Sequence, residues 1–277
     1  MSTYVESLAG VKSGDERAKA TPFVFQVSMM TWRSLVTIFR TPAAVIPSLI
    51  ISVFFLLVYD SSLSRASTFL PGLGSNSYLG FILPVAIVSA ALGGAGVAGQ
   101  SIVRDIESGY FDKLLLTPVN RGALLLGTII AGSLILVIQT SAVMVVAVLM
   151  GLESSTGFLG IAGVMALALL LGTGFAGFTV GVALRTGNAA ATQGASFLFF
   201  PLTFLTATFV PVSLLSGWIA TAAVFNPITY ILEAMRAMLN TGWDAEVMLR
   251  GLLSCAGMGA VMFVFALASL RARTRLK

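Results

Sequence analysis

Residues Arg104 to Arg121, Arg-Asp-Ile-Glu-Ser-Gly-Tyr-Phe-Asp-Lys-Leu-Leu-Leu-Thr-Pro-Val-Asn-Arg, gather charges of both signs between two long apolar runs. The chemistry such a stretch offers is recognition rather than bond making. Drawn as a helix, Ile106, Tyr110, Phe111 and Leu114 share one broad arc, and Asp105, Ser108 and Asp112 share another. Thr117-Pro118 would stop that helix, because the residue before a proline is pushed out of the α region. An apolar face of Tyr and Phe on a short surface helix argues for docking into a groove on a soluble partner.

Bond-making chemistry finds few candidates. The chain has no His and a single Cys, Cys255, within an apolar run. That excludes a His-based triad or metal site and an internal disulfide framework, and makes Cys255 a buried free thiol. Gly94-Ala95-Gly96-Val97-Ala98-Gly99 spells G-x-G-x-x-G, but no strand precedes it and no βαβ unit surrounds it. It lies at the end of an apolar run, where glycines let helices approach closely; Gly177 and Gly181 have the same meaning, within or between chains. No G-x-x-x-x-G-K-[ST] occurs around Lys12, Lys19, Lys113 or Lys277, the four lysines. The sequence therefore lacks the loop that cradles nucleotide phosphates. If ATP drives this protein, the ATPase is another polypeptide.

The elements that must position the charged stretch are built for lipid. The composition is 57% hydrophobic and 10% charged, with mean hydropathy +0.97, where soluble domains carry about 25% charged residues. A span needs about 20 mostly apolar residues. Six stretches meet that need: Ala43 to Tyr59 (short, with Pro42 and Pro47 near its start), Tyr78 to Gln100, Gly122 to Met150, Phe158 to Leu184, one beginning near Ala189, and Val247 to Leu270. No secretory signal precedes them, so the N-terminus is expected in the cytoplasm.

The basic residues test that layout. With the N-terminus inside, Lys12, Arg17, Lys19, Arg33, Arg40, Arg104, Lys113, Arg121, Arg185, Arg271, Arg273, Arg275 and Lys277 fall on the cytoplasmic side, 13 of the 16. Only Arg65, Arg236 and Arg250 fall outside. This is the positive-inside bias, so the net charge of +5 reflects topology rather than nucleic-acid binding. The acids divide 6 inside and 5 outside, as expected if they carry little topological weight.

Ala189 to Phe225 holds no charge over 37 residues, too many for one straight span, and Pro201 and Pro211 interrupt it. The expected solution is one membrane helix ending near Pro211, then a returning or interfacial segment through Ser216 to Phe225. Asn226-Pro227-Ile228-Thr229-Tyr230 then opens a short amphipathic helix, with Asn as N-cap and Pro at its first position. Ile231, Leu232, Met235, Met238 and Leu239 share one face, and Glu233 and Arg236 are spaced to pair. Trp218, Tyr230 and Trp243 suit the outer interface. A second amphipathic helix precedes the first span. Phe25, Met29, Trp32, Val36 and Phe39 form its apolar stripe, with Gln26, Arg33, Thr37 and Arg40 alongside, the pattern of a helix lying in the cytoplasmic interface.

The centres of the spans hold essentially no ionisable residue; their polar groups are mostly Gln139, Gln193 and Ser/Thr. Ion-coupled carriers generally place carboxylates at mid-membrane, so a path for amphiphilic or apolar cargo is better supported. Gln139 and Gln193 are candidates to line it, with helix-to-helix hydrogen bonding as the other account of them.

The charged stretch resembles the cytoplasmic loop of type-2 ABC exporter permeases, including those of the daunorubicin-resistance type, which typically reads Glu-Arg-Glu-x-Gly-Thr-Leu-Glu-x-Leu-Leu-x-Thr-Pro-x-x-Arg. Asp105 and Glu107 hold its acidic positions, Gly109 its glycine, Asp112 the later acid, and Leu114 and Leu115 the leucine pair. Thr117-Pro118 matches the terminator and Arg121 the closing base, while Ile106 and Tyr110-Phe111 depart from Arg and Thr-Leu. Asn226, Pro227, Tyr230, Glu233, Ala234 and Arg236 are similar to that family's outer segment.

The resemblance implies an all-α integral membrane protein with six transmembrane helices and both termini cytoplasmic. It implies a cytoplasmic tail (1–22), a type-2 ABC permease transmembrane domain (23–270) and a basic tail (271–277). Phe25 to Arg40, with Trp32, Arg33 and Arg40, would be the interfacial helix. Arg104 to Arg121 would be the coupling helix between spans 2 and 3, with Tyr110, Phe111 and Leu114 seated in a groove of the ATPase. Short re-entrant or amphipathic helices would lie outside between spans 5 and 6. The implied partners are two cytoplasmic ABC ATPase subunits, which hold the ATP and Mg, a second permease copy or paralogue, and the bilayer of a bacterial cytoplasmic membrane. The cargo would be an amphiphilic or hydrophobic drug, antibiotic or lipid, with no cofactor, metal or catalytic residue in this chain. Export of a lipid-linked polysaccharide or teichoic-acid polymer, an ion-coupled secondary carrier, and a membrane anchor or sensor remain as alternatives.

Overall fold

The structure is a computed structural model that describes residues 21–63, 78–206, 208 and 212–275. Lys12, Arg17, Lys19, Arg65, Pro211 and Lys277 lie outside the described residues. Every regular element among those described is helical. α1 (Phe23–Phe39) runs through a single 3-10 turn (Pro42–Ala44) into α2 (Ile46–Leu63). α3 (Tyr78–Glu107) is followed by the short α4 (Tyr110–Leu115), then by α5 (Arg121–Leu149) and α6 (Gly157–Thr186). α7 (Ala189–Phe197) and α8 (Phe200–Phe204) come next. α9 (Gly217–Phe225), α10 (Pro227–Arg236) and a π turn (Ala237–Thr241) lead to α11 (Ala245–Arg275).

Four of these helices, α3, α5, α6 and α11, are long and apolar enough to cross a membrane. A helix of 30 residues reaches about 45 Å, beyond the roughly 30 Å hydrocarbon layer. The surplus carries Arg104 and Asp105 on the last turn of α3 and Arg271 to Arg275 on the end of α11. The charged loop expected after Gln100 therefore begins as a continuation of a membrane helix. α2 is shorter and as apolar as the long four.

α3 is the buried axis of the bundle. Lipid tails are as apolar as leucine, so helices in a membrane associate by close packing and hydrogen bonds. The glycines of α3 supply the close packing. Gly93 lies against Ser48 of α2, and a Cβ on Gly94 would sit 3.0 Å from Gln139 Oε1 of α5. A Cβ on Gly99 would sit 2.5 Å from Thr192 of α7 and 3.0 Å from Thr179 of α6. The stretch from Gly93 to Gly99 is thus the crossing point of four neighbours, three of them met by the G-x-G-x-x-G glycines. Gly181 meets α11 within the same chain: a Cβ there would lie 2.7 Å from the Phe265 ring.

The fifth apolar stretch departs from expectation. It is two short helices with a break at Leu198–Phe199, and α8 ends at Phe204. Pro201 stands near the start of α8 and has no N–H to offer the carbonyl of Phe197, which favours the break.

Candidate functional site

Gly109 divides the charged stretch in two. Its φ of 67° and ψ of 6° lie in the left-handed region, which glycine enters without steric cost. α3 therefore stops at Glu107, and α4 leaves in a new direction. The single helical face drawn from the sequence through Ile106, Tyr110 and Leu114 is broken at that glycine. Leu116 and Thr117 close α4 with backbone bonds to Lys113 and Leu114, the Thr117 hydroxyl donates to the Leu114 carbonyl (2.6 Å), and Pro118 follows.

The two aromatic residues of α4 part company. Phe111 is 1% exposed, packed among Ile102, Leu124, Val180, Leu184 and Leu270 of its own chain. The Arg273 guanidinium lies 5.5 Å from its ring centroid and donates to the Leu184 carbonyl (2.9 Å). Phe111 is thus an internal anchor for α4. The expectation that it seats in a partner's groove is corrected by that burial. Leu114 and Leu115 are half-buried on the same core. The outward face carries Glu107, Tyr110, Asp112, Lys113 and Leu116, with Leu116 88% exposed. Thr117, Pro118 and Arg121 are exposed beside it.

α1 grips both ends of this stretch. Arg33 Nη2 donates to Asp105 Oδ1 at 2.5 Å, and the guanidinium lies 4.3 Å above the Tyr110 ring. Asp105 is buried, so of the three acids only Glu107 and Asp112 face outward. At the far end, the Asn120 N–H donates to Gln26 Oε1 (2.8 Å), while the Asn120 side chain caps α5 by accepting from Gly122. Thr31, Ser34 and Ile38 of α1 face inward. The apolar stripe of Phe25, Met29, Trp32 and Phe39 faces outward, with Arg40 exposed beyond it. Gln26 and Arg273 escaped the sequence reading as parts of this unit. Gln26 is one polar residue among several on an amphipathic helix, and Arg273 had meaning there only as a topology charge.

The opposite end of the bundle holds the Asn226 motif. Asn226 Oδ1 accepts from the Ile228 N–H (3.0 Å), and its Nδ2 donates to the carbonyls of Leu202 (2.6 Å) and Leu205 (3.0 Å). It caps α10 and ties it to the end of α8. The Tyr230 hydroxyl donates to the Val224 carbonyl (2.7 Å), folding α9 back on α10. Arg236 does not form the expected ion pair with Glu233. It turns inward, donating to the carbonyls of Phe81 (2.9 Å) and Thr208 (3.1 Å), its guanidinium 3.6 Å from the Phe81 ring centroid. Burial weakens its hold on the proton, partly offset by the Glu233 charge; burial likewise raises the Glu233 pKa, opposed by Arg236 and Arg250. Ile231, Leu232, Met235, Met238 and Leu239 are buried.

A cavity of about 610 Å³ opens between α2, α3 and α7, lined by Ile51, Phe55, Leu92 and Phe200 with Gln193 and Arg104. Gln193 is exposed on this cavity. Gln139 is fully buried behind it, donating to the Val45 carbonyl (3.2 Å) and Ser48 Oγ (2.7 Å) of the segment entering α2. Its place is a strut between α5 and α2, the helix-to-helix hydrogen bonding that was the other account of this residue.

Known proteins of similar sequence say which family this apolar bundle belongs to. The chain is 24% identical over 265 residues to the daunorubicin resistance ABC transporter permease protein DrrB1 of Streptomyces coeruleorubidus, covering 94% of this chain and 90% of that protein. It is 24% identical over 257 residues to the probable doxorubicin resistance ABC transporter permease protein DrrC of Mycobacterium tuberculosis, covering 93% and 92%. A putative transport permease, ycf38, of Cyanophora paradoxa matches at 24% over 220 residues, 79% of this chain and 75% of that one. Residues 25–240 match the family described as the ABC-2 type transporter, a span that takes in the α1 grip, α4 and the Asn226 motif, and the chain belongs to that family as a multi-pass membrane permease.

Proposed function

We propose that this chain is the membrane subunit of an ATP-driven exporter, with six spans and both termini cytoplasmic. In this reading α2, α3, α5, α6, the α7–α8 pair and α11 are the spans. The outward face of α4 receives an ABC ATPase subunit that supplies ATP and Mg. Two such ATPases and a second permease copy or paralogue complete the transporter in a bacterial cytoplasmic membrane, and the cargo is amphiphilic. The observation that carries the reading is the mounting of α4. It is a short surface helix with an exposed leucine, anchored inward by Phe111 and clasped by Arg33, so a push on it is delivered to α1, α3 and α11 together. The names of the relatives, which speak of drug resistance, support an amphiphilic cargo. ATP drives the cycle by binding one conformation more tightly than the other.

The test is reconstitution with a cognate ABC ATPase in vesicles, following ATP-dependent movement of a fluorescent amphiphile. A Tyr110→Ala, Leu116→Ala double variant is expected to insert normally and to lose coupled transport. Wild-type transport by that variant, or transport driven by a proton gradient without ATPase, would overturn the proposal.

A further inference from the structure

Among the described residues that line the cavity between α2, α3 and α7, Arg104 is the one charge and there is no carboxylate. We propose that this cavity receives cargo of one chemical class, an acyl-chain amphiphile with a phosphate or carboxylate headgroup, its head on Arg104 and its tail along Ile51, Phe55 and Leu92. The proposal rests on the exporter reading above and narrows its substrate.

The geometry supports it in three ways. Arg104 lies on the last turn of α3, at the end of the bundle that bears α4, and Ser89 marks the far end of the α3 lining. Fifteen residues of helix separate them, about 22 Å. That is about three quarters of the roughly 30 Å hydrocarbon layer, enough for one leaflet of about 15 Å with its headgroup. The volume lies within the roughly 300–1,000 Å³ of ordinary small-molecule sites.

The electrostatics point the same way. Arg104 is half-buried, and its Nη1 donates to a neutral partner, the Thr41 hydroxyl (3.0 Å). A guanidinium carries five N–H donors and prefers planar, bidentate acceptors. Arg33, one helix away, has its carboxylate in Asp105. No carboxylate among the described residues plays that part for Arg104. A half-desolvated cation in an apolar crevice is costly until an anion meets it, and it repels a cationic headgroup.

Binding is measured on the purified full chain in neutral detergent, without ATPase, using tritiated dodecyl phosphate and dodecyltrimethylammonium, which share a tail and differ in head charge. The anionic probe is expected to bind the wild type at least tenfold more tightly. Arg104→Gln is expected to weaken it about tenfold, the scale of a lost charge-assisted hydrogen bond, with the cationic probe unaffected. Arg104→Lys keeps the preference, and Ile51→Trp blocks both probes by filling the cavity. Equal affinity for the two heads, or an unchanged Arg104→Gln variant, would overturn the proposal. With the ATPase added in vesicles, ATP-driven movement of dodecyl phosphate supports the cargo assignment. Binding without movement, while a fluorescent amphiphile is still exported, makes the occupant a resident lipid and overturns it. Absence of export for every probe would instead count against the exporter reading itself.

Discussion

Cutting the tie between Arg33 and Asp105 should loosen the surface helix without unfolding the bundle. The two groups meet at 2.5 Å with side chains 25% and 10% exposed. A hydrogen bond to a charged group contributes about 1.5–3 kcal/mol when sheltered, and an exposed ion pair about 0–1 kcal/mol. A quarter-exposed guanidinium falls between, so the pair should contribute about 1–2 kcal/mol. The assay is a double-mutant cycle of Arg33→Gln, Asp105→Asn and both. Unfolding free energy is read by denaturant titration in detergent, and cargo moved per ATP hydrolysed is read in vesicles. Each single variant leaves a buried or half-buried partner unpaired, so the double variant should be little worse than either, with a coupling energy of about 1–2 kcal/mol. Transport per ATP should fall in all three. Strict additivity of the single effects on stability, or full coupling in the double variant, would refute the idea that α1 and α3 clasp α4 through this pair.

Phe111→Ala should cost about 3 kcal/mol or more and lower the yield of folded protein, because it empties a fully enclosed site, whereas Leu116→Ala should leave yield unchanged and weaken ATPase binding in pull-downs. Gly181→Leu should separate α6 from α11, since no side chain fits against the Phe265 ring, and the loss should appear as an increased distance between spin labels placed on the two helices. The Glu233 pKa is raised by burial, so the folded state holds that proton more tightly than the unfolded chain. Its contribution to stability is present below the ordinary Glu range and lost as pH rises through the higher folded value. Denaturation followed across that range should show the loss in the wild type and a flatter profile in Glu233→Gln.

Much of the architecture could be read without coordinates. Hydropathy locates α3, α5, α6 and α11 to within a few residues at most ends, because a membrane demands long unbroken apolar runs of any helix that crosses it. The Asn226-Pro227 start of α10 is equally local, since a cap and a first-turn proline act on the next few residues alone. The partners of individual side chains were less legible. Arg236 sits three residues after Glu233, which suggests a pair, yet its stronger partners are carbonyls 155 and 28 residues away in sequence.

The residue sequence by itself determined a lipid-embedded helical chain, a charged surface stretch stopped at Pro118, and an outer amphipathic cap, while the break at Gly109 came from the structure. These follow from composition, periodicity and backbone chemistry, which act over a few residues. Only the tertiary structure decided that Phe111 faces inward while Leu116 faces out, that Gln139 is a strut while Gln193 borders a cavity, and that Arg33 meets Asp105 while Arg104 meets the Thr41 hydroxyl. Each depends on which helices cross at the glycines of α3. That crossing is set by the fit of side chains far apart in the chain, which no local pattern records.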